Sequence, residues 1–250
     1  NVDVVLSGGS RHFVAEGGSR DDARDLLDEA RKAGFDVVTD AKGLATAGPR
    51  VLGLFAASGM PDALSARSMP DVPSLAAMTS AALSRLESDE QGFFLMVEGG
   101  QIDWAAHAND AGGMLAELQR FDEAVSVVLD FVATHPQTLL VVTADHETGG
   151  FGLSPSGAMP ITTVALDGKE FPEGYTPSES SMDFGLLDEL AKQPQGVFEP
   201  YGAYKKLDAD AQTPEAFVAL VQQKLGWTIT TAQAERLLSD APMPGQEGHF

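Results

Sequence analysis

The sequence predicts an α/β fold, a largely parallel sheet flanked by helices, with a partly helical insertion or subdomain at its C-terminal end. Short β-branched and apolar runs alternate with amphipathic helical stretches as far as Ala144. Two of those runs, Phe93 to Val97 and Leu139 to Val142, are apolar enough for strands buried on both faces. Beyond Gly150 the alternation stops, and Gly, Pro and Ser become frequent. Residues 1–150 are therefore expected to form part of an α/β domain, and 151–250 the insertion or subdomain.

Val2 to Leu6 reads as a strand closed by Ser-Gly-Gly. Ser19 to Ala33 predicts a helix. Ser19 can cap it, Asp21 and Asp22 suit its positive end, Leu26, Leu27 and Ala30 make an apolar face, and Gly34 ends it. Phe35 to Val38 and Val51 to Phe55 are two more strands, the second running into AASGMPDALSARSMPDVP, a Gly/Pro/Ser-rich loop. Ser74 caps a helix from Leu75 to about Glu87, with Leu75, Met78, Ala82 and Leu86 inward.

After the run at Phe93, a long helix extends from about Asp110 to Ala133. Leu115, Leu118, Phe121, Val125, Val128, Leu129 and Val132 recur along it at helical spacing, which predicts one buried stripe. His135-Pro136 ends it, and Leu139 to Val142 is the return strand. Further on, Ile161 to Leu166 predicts a strand. Met182 to Lys192, Pro214 to Leu225 and Thr231 to Leu238 predict helices.

Composition narrows the function classes. The 250 residues include no cysteine, which excludes disulfides, thiolate zinc sites and a cysteine nucleophile within them. Against 16 basic residues stand 37 acidic ones, a net charge of −21, and both parts of the chain are acidic. That field disfavours nucleic acid and anionic membrane as partners, and predicts a solvated acidic surface with tolerance of high salt as a further expectation. No run approaches the roughly 20 apolar residues that span a bilayer, and no signal peptide is visible. The chain opens directly on a strand without an initiator Met, so it is expected to be a piece of a longer protein.

The chemistry is concentrated at the ends of the two apolar runs. FFLMVEGGQIDWAAH places Glu98, then Asp103 and His107, directly after the first. TLLVVTADHETGG places Asp145 and His146 directly after the second, ahead of the backbone freedom of Gly149 and Gly150. In an open parallel sheet, ligands bind outside the carboxyl ends of the strands, and one helical crossover separates these two ends. Asp103 and His107 are four apart, which on a helical turn puts both on one face. Imidazole and carboxylate without sulfur suit zinc, whereas an oxygen ligand such as Glu98 suits magnesium better. Two ions roughly 3.5–4 Å apart could clamp the attacking and leaving oxygens of a phosphoryl transfer. Each pair taken singly could equally be a surface contact; their joint placement favours a metal site.

MVEGGQIDWAAHANDA at Met96 to Ala111 and VVTADHETGG at Val141 to Gly150 closely resemble the two metal-binding motifs of alkaline phosphatases. DVVLSGGSRHF at Asp3 to Phe13 and PSLAAMTSAAL at Pro73 to Leu83 are similar to further stretches of that family, in the same order. The resemblance, to a bacterial type with a large insertion, implies an alkaline-phosphatase-like fold and phosphomonoester hydrolysis. It implies two Zn2+ and one Mg2+, with Glu98 a magnesium ligand, Asp103 and His107 ligands of one zinc, and Asp145 and His146 ligands of the other. It also implies a phosphoserine intermediate, one zinc serving the leaving group and then a water, the other the serine. Trp104 stands where other members carry Lys or His near the phosphate, and would shape the mouth of the site.

The chain departs from the pattern in ways that matter. The family's serine nucleophile in an Asp-Ser-Ala context, its bridging Asp and its phosphate-clamping Arg have no match here; Ser7, Ser58 and Ser65 are ordinary serines. His249 is not equated with the family's last zinc-binding His, and His12 and His135 are expected in loops. The chain thus resembles a middle-to-C-terminal section whose catalytic residues proper are none, and it is expected to be inactive alone. The intact protein is expected to be a periplasmic or secreted homodimer acting on phosphate monoesters. Two alternatives stay open, a non-catalytic metal-binding or structural fragment and a related phosphomutase or sulfatase.

Overall fold

A computed structural model describes residues 2–14, 17–148, 161–163, 178–180 and 184–239. Gly149, Gly150, residues 164–166 and His249 lie outside the described residues. Three parallel strands, β1 (Val4–Ser7), β2 (Asp36–Val38) and β3 (Val51–Leu54), form a sheet in the order β1-β3-β2. The register sets Val4 and Asp36 both opposite Val51, so the central strand is flanked on each side at the same level. All four residues of β3 are buried, as expected for the middle strand of a sheet covered on both faces. Between the strands run α1 (Leu26–Lys32) and α2 (Ala41–Thr46). The architecture is α/β, as the sequence predicts.

The expected start of the first helix is corrected by the structure. The hydroxyl of Ser19 is held by His12 Nδ1 at 2.7 Å and so caps nothing. Arg20 is paired with Asp22 in the turns that precede the helix, and Arg24 reaches Glu29 in its first turn. The cap falls instead to Asp25, whose carboxylate accepts the Asp28 N–H at 3.0 Å.

Side-chain caps recur through the chain. Asp40 accepts from Gly43 N at the start of α2, and Asp62 from Leu64 and Ser65 N at the start of α3 (Ala63–Ala66). Ser74 accepts from Ala77 N at the start of α4 (Leu75–Leu86). At the other end of α2 the guanidinium of Arg85, from α4, donates to the carbonyls of Leu44, Ala47 and Gly48 at 2.7–3.0 Å. One side chain thereby satisfies carbonyls that a helix end and its exit loop leave without partners. The core beneath collects Leu44, Val51, Phe55 and Met78, with Val4, Leu6, Val38 and Leu75 against them.

α5 (Gly100–His107) leads into the long α6 (Ala111–Thr134), which packs along α4. The buried face of α6 is not the predicted leucine stripe. Gly112, Gly113, Ala116, Glu117 and Ala124 are buried, while Leu118 and Leu129 are exposed. Small residues let α3 and α4 approach the helix axis closely, while Leu115, Phe121, Val125, Val128 and Val132 of the expected stripe are half-buried. Glu117 is the one ionisable member of that face. Its carboxylate accepts the Ala63 N–H at the start of α3. Burial pushes its pKa up, opposed by that hydrogen bond and by Arg120.

The two runs expected as buried strands are corrected as well. Phe93–Val97 and Leu139–Val142 belong to no sheet among the described residues. Phe94 is 90% exposed and Leu139 85%, with Met96, Val141 and Val142 also outside. A strand exists only by pairing, and no neighbour among the described residues hydrogen-bonds to either run. Phe93 does reach α6, its ring 6.0 Å from that of Phe131 in an edge-on contact.

Farther along, β4 (Ile161–Thr163) and β5 (Ser178–Ser180) make a short antiparallel pair. α7 (Phe184–Ala191) packs on α6. α8 (Glu199–Tyr204), α9 (Pro214–Leu225) and α10 (Thr231–Ser239) share a separate core of Tyr204, Phe217, Val221, Leu225 and Ala234. Among the described residues no helix is long and apolar enough to cross a membrane.

Glu117 makes stability depend on pH in a stated direction. A folded-state pKa raised above the unfolded value means that the folded chain binds the extra proton. This contribution is full below the ordinary glutamate pKa and is lost as pH rises through the raised value. Glu117→Gln keeps the oxygen that accepts from Ala63. Urea unfolding across that window should therefore show a falling midpoint in the parent chain and a flatter one in the variant.

Candidate metal centre

The metal-ligating candidates gather around α5, and the placement of α5 begins at the carboxyl ends of β1 and β3. There the loops that follow the two strands are joined backbone to backbone. Gly9 N donates to Ser58 O at 2.6 Å, Ser10 N to Ala56 O at 3.0 Å and Arg11 N to Ala57 O at 3.1 Å. A Cβ at Gly8 would lie 2.1 Å from Ser58 O, so only glycine permits this approach. The second loop then carries α5. Gln101 Nε2 donates to Met60 O at 2.8 Å, and the Trp104 ring covers Gly59. The candidate site thus lies outside the carboxyl ends of parallel strands, the position favoured for ligands in open α/β sheets.

On α5 the expected i,i+4 pair is formed. Asp103 Oδ2 and His107 Nε2 are 3.6 Å apart, each side chain about 40% exposed. Asp145 Oδ2 and His146 Nε2 are 3.5 Å apart, in a more exposed segment. His146 Nδ1 lies 2.9 Å from the Glu147 carbonyl, which can only accept. That contact requires the proton on Nδ1 and leaves the Nε2 lone pair available to a metal, as an outer-shell partner does for a ligating imidazole.

A hydroxyl connects the two pairs. Thr148 Oγ1 donates to Asp103 Oδ1 at 2.6 Å and lies 3.4 Å from His146 Nδ1. Asp103 is thereby shared between its own helix and the segment 45 residues later. Glu98 sits just before α5, with its carboxylate folded over Gly100 at the helix N-terminus.

The donor pairs can be tested against the ion they are expected to hold. Two ligands about 2.0–2.1 Å from a tetrahedral zinc lie about 3.3 Å from each other. Separations of 3.6 and 3.5 Å are within a small side-chain adjustment of that bite. Each pair supplies two of four ligands. Among the described residues no group of three His, Asp or Glu converges at one point. The residues present fit zinc as two half-sites.

The other candidates are occupied elsewhere. His135 stacks on Phe131 at 3.9 Å and meets the Phe131 carbonyl, and His12 bonds Ser19. Ser65 donates to Asp62 at 2.6 Å within α3.

A sequence model of the family described as alkaline phosphatase matches residues 1–231. The chain belongs to the alkaline phosphatase family. Alkaline phosphatase 4 of Bacillus subtilis (strain 168) is 35% identical over 256 residues, covering 98% of this chain and 53% of the relative. Alkaline phosphatase 3 of the same organism is 43% identical over 157 residues, covering 62% of this chain and 32% of the relative. Among solved structures, alkaline phosphatase from Thermus thermophilus superposes with a TM-score of 0.76 at 28% identity, covering 98% of this chain and 47% of that one. A mutant of TAB5 alkaline phosphatase with Mg bound in its M3 site gives a TM-score of 0.53 at 31% identity, over 72% of this chain and 47% of that one. The chain spans about half the length, or less, of these alkaline phosphatases.

Thr148 is the residue whose role the sequence conceals. It stands in plain view in the ADHETGG motif, yet its bond to Asp103 crosses 45 residues that no local spacing reports. Thr148→Val removes the donor at nearly constant volume, whereas Thr148→Ser retains it. Backbone order parameters at His146 and Thr148 should fall toward the flexible range, below about 0.6, in the valine variant only.

Proposed function

We propose that this chain provides the metal-ligating part of an alkaline phosphatase, a phosphoric monoester hydrolase. In this reading Asp103 and His107 hold one zinc, Asp145 and His146 the other, and Glu98 holds magnesium. The observation that carries it is the pair geometry: two Asp-His pairs with the bite of zinc, tied through Thr148, in a chain of this family. Bound metals would supply the positive charge that attracts a phosphate monoester and lowers the pKa of the reacting water or alcohol.

The chain's own residues prepare that site. His146 is held in the tautomer that frees Nε2. Asp103 is oriented by the Thr148 hydroxyl while its second oxygen faces His107. Trp104, largely exposed beside Asp103, forms a wall at the mouth. The serine that forms the phosphoserine intermediate and the arginine that clamps phosphate are assigned to other parts of the whole enzyme. The chain alone is therefore inactive. Its resemblance to bacterial alkaline phosphatases supports a homodimer outside the cytoplasm as the working form, acting on small phosphate monoesters.

Calorimetric zinc titration of the 250-residue chain should find about two sites, each lacking part of a tetrahedral shell. His107→Ala and His146→Ala should each abolish one. A zinc count that neither substitution changes would remove these residues as ligands. Hydrolysis of p-nitrophenyl phosphate by the chain alone, with zinc and magnesium present, would overturn its inactivity.

A further inference from the structure

The corner between α5 and α6 contains a buried carboxylate that the metal chemistry does not use. Asp110 is 5% exposed and accepts three hydrogen bonds. Gly113 N, at the start of α6, donates to Oδ1 at 2.9 Å. Gln193 Nε2 donates to the same oxygen at 2.8 Å, and Val197 N to Oδ2 at 3.0 Å. A helix cap needs only the first of these. The other two come from a segment more than 80 residues downstream.

That segment is itself locked. Gln193 is 2% exposed, its Nε2 also donates to Gln195 O at 2.8 Å, and its own carbonyl accepts from Arg67 at 3.4 Å. The α6 backbone is shaped to receive it. A Cβ at Gly112 would lie 2.3 Å from Gln193 Oε1 and 2.9 Å from the Leu190 carbonyl. A carboxylate this buried is unfavourable unless its oxygens are satisfied, and here both are satisfied by groups outside α5.

Asp110 also faces the other way along the chain. Its N–H donates to the Ala105 carbonyl at 2.9 Å, and Asn109 N donates to that of Ala106 at 3.0 Å. Asn109 takes a left-handed conformation, φ 51°, to make the turn. The last turn of α5, which ends at His107, is therefore closed by the residue that the 193–197 segment holds. A helix of eight residues is marginal without such anchors. Its other end is fixed by Gln101 and Trp104.

We propose that Asp110 is a positioning residue for the Asp103–His107 pair, and that residues 193–197 are the external clamp that keeps it in place. This rests on the metal reading of that pair, and it gives the region after α7 a role in the site itself. The clamp fixes the pitch of the last turn of α5, and with it the distance between the two donors.

The test uses Co2+ as the probe in a His146→Ala background, so that only the Asp103–His107 pair is read. Gln193→Ala removes the Nε2 donor to Asp110 and to Gln195 O and leaves the α6 cap intact. Asp110→Asn retains an oxygen for Gly113 but presents an amide N–H to Val197 N. Both variants should lose at least about tenfold in Co2+ affinity, the range for outer-shell partners, and shift the visible absorption of the bound ion. Amide exchange at Ala105, Ala106 and His107 should rise about tenfold with the metal absent, as for a locally opened turn. Affinity, spectrum and exchange all unchanged within about twofold, with only the thermal midpoint lowered, would reduce Asp110 to a stabilising cap and overturn the proposal. If the His146→Ala parent binds no Co2+, the metal reading of the pair fails, and the metal-free exchange measurement alone decides whether the clamp orders the turn.

Discussion

Everything at the candidate centre depends on how closely two backbones meet at the carboxyl ends of β1 and β3. Gly8 lies against the Ser58 carbonyl at a distance that no side chain would tolerate, and Gly9 N donates to that carbonyl. That contact fixes the 56–60 loop, the loop receives Gln101 and Trp104, and those two residues seat α5. The helix that carries Asp103 and His107 is therefore seated on a loop that main-chain hydrogen bonds hold in place. Such bonds are directional, and their lengths tolerate little drift. A site that must hold donors to a few tenths of an ångström gains more from this kind of support than from the softer packing of side chains.

A second level of support is polar and long-range. Arg85 reaches the carbonyls at the end of α2, Glu117 reaches the start of α3, and Thr148 reaches Asp103. Each of these bonds satisfies a group that would otherwise face a partly dry environment, so each is worth more in its loss than in its formation. The acidic excess of the chain is put to use in the same way. Asp25, Asp40, Asp62 and Asp110 all turn carboxylates onto helix N-termini, where the helix dipole favours negative charge.

The parts of the fold legible in the sequence are those written in local pattern. β1 and β3 are mainly apolar runs and β2 a short β-branched one, and α4, α9 and α10 carry their own caps and periodicity. The Asp103–His107 pair is legible as a four-residue spacing, and Asp145–His146 as a dipeptide. α2, α3 and α8 are too short for any period to show, and the first two are held by partners tens of residues away. The start of α1 misleads because the Ser19 hydroxyl is engaged by a histidine that precedes it. On α6 the leucines supply a clear stripe, but the face that packs is the one made of glycine and alanine, whose hydrophobic signal is weak. Family membership was legible because it rests on long motifs, and motifs do not depend on which strands find neighbours.

The open runs at Phe94 and Met96, and at Leu139, Val141 and Val142, have a consequence for how the molecule behaves in a tube. Each presents main-chain groups without a partner among the described residues beside exposed apolar side chains, which is the recipe for edge-to-edge association and precipitation. A sedimentation or light-scattering measurement on the chain would register that stickiness together with any native subunit contact. Charge offers a natural brake, since a net −21 makes the copies repel one another most strongly in dilute buffer. Added salt would screen that repulsion while leaving the exposed runs untouched, so the same ionic strength that suits an acidic surface would bring these edges together.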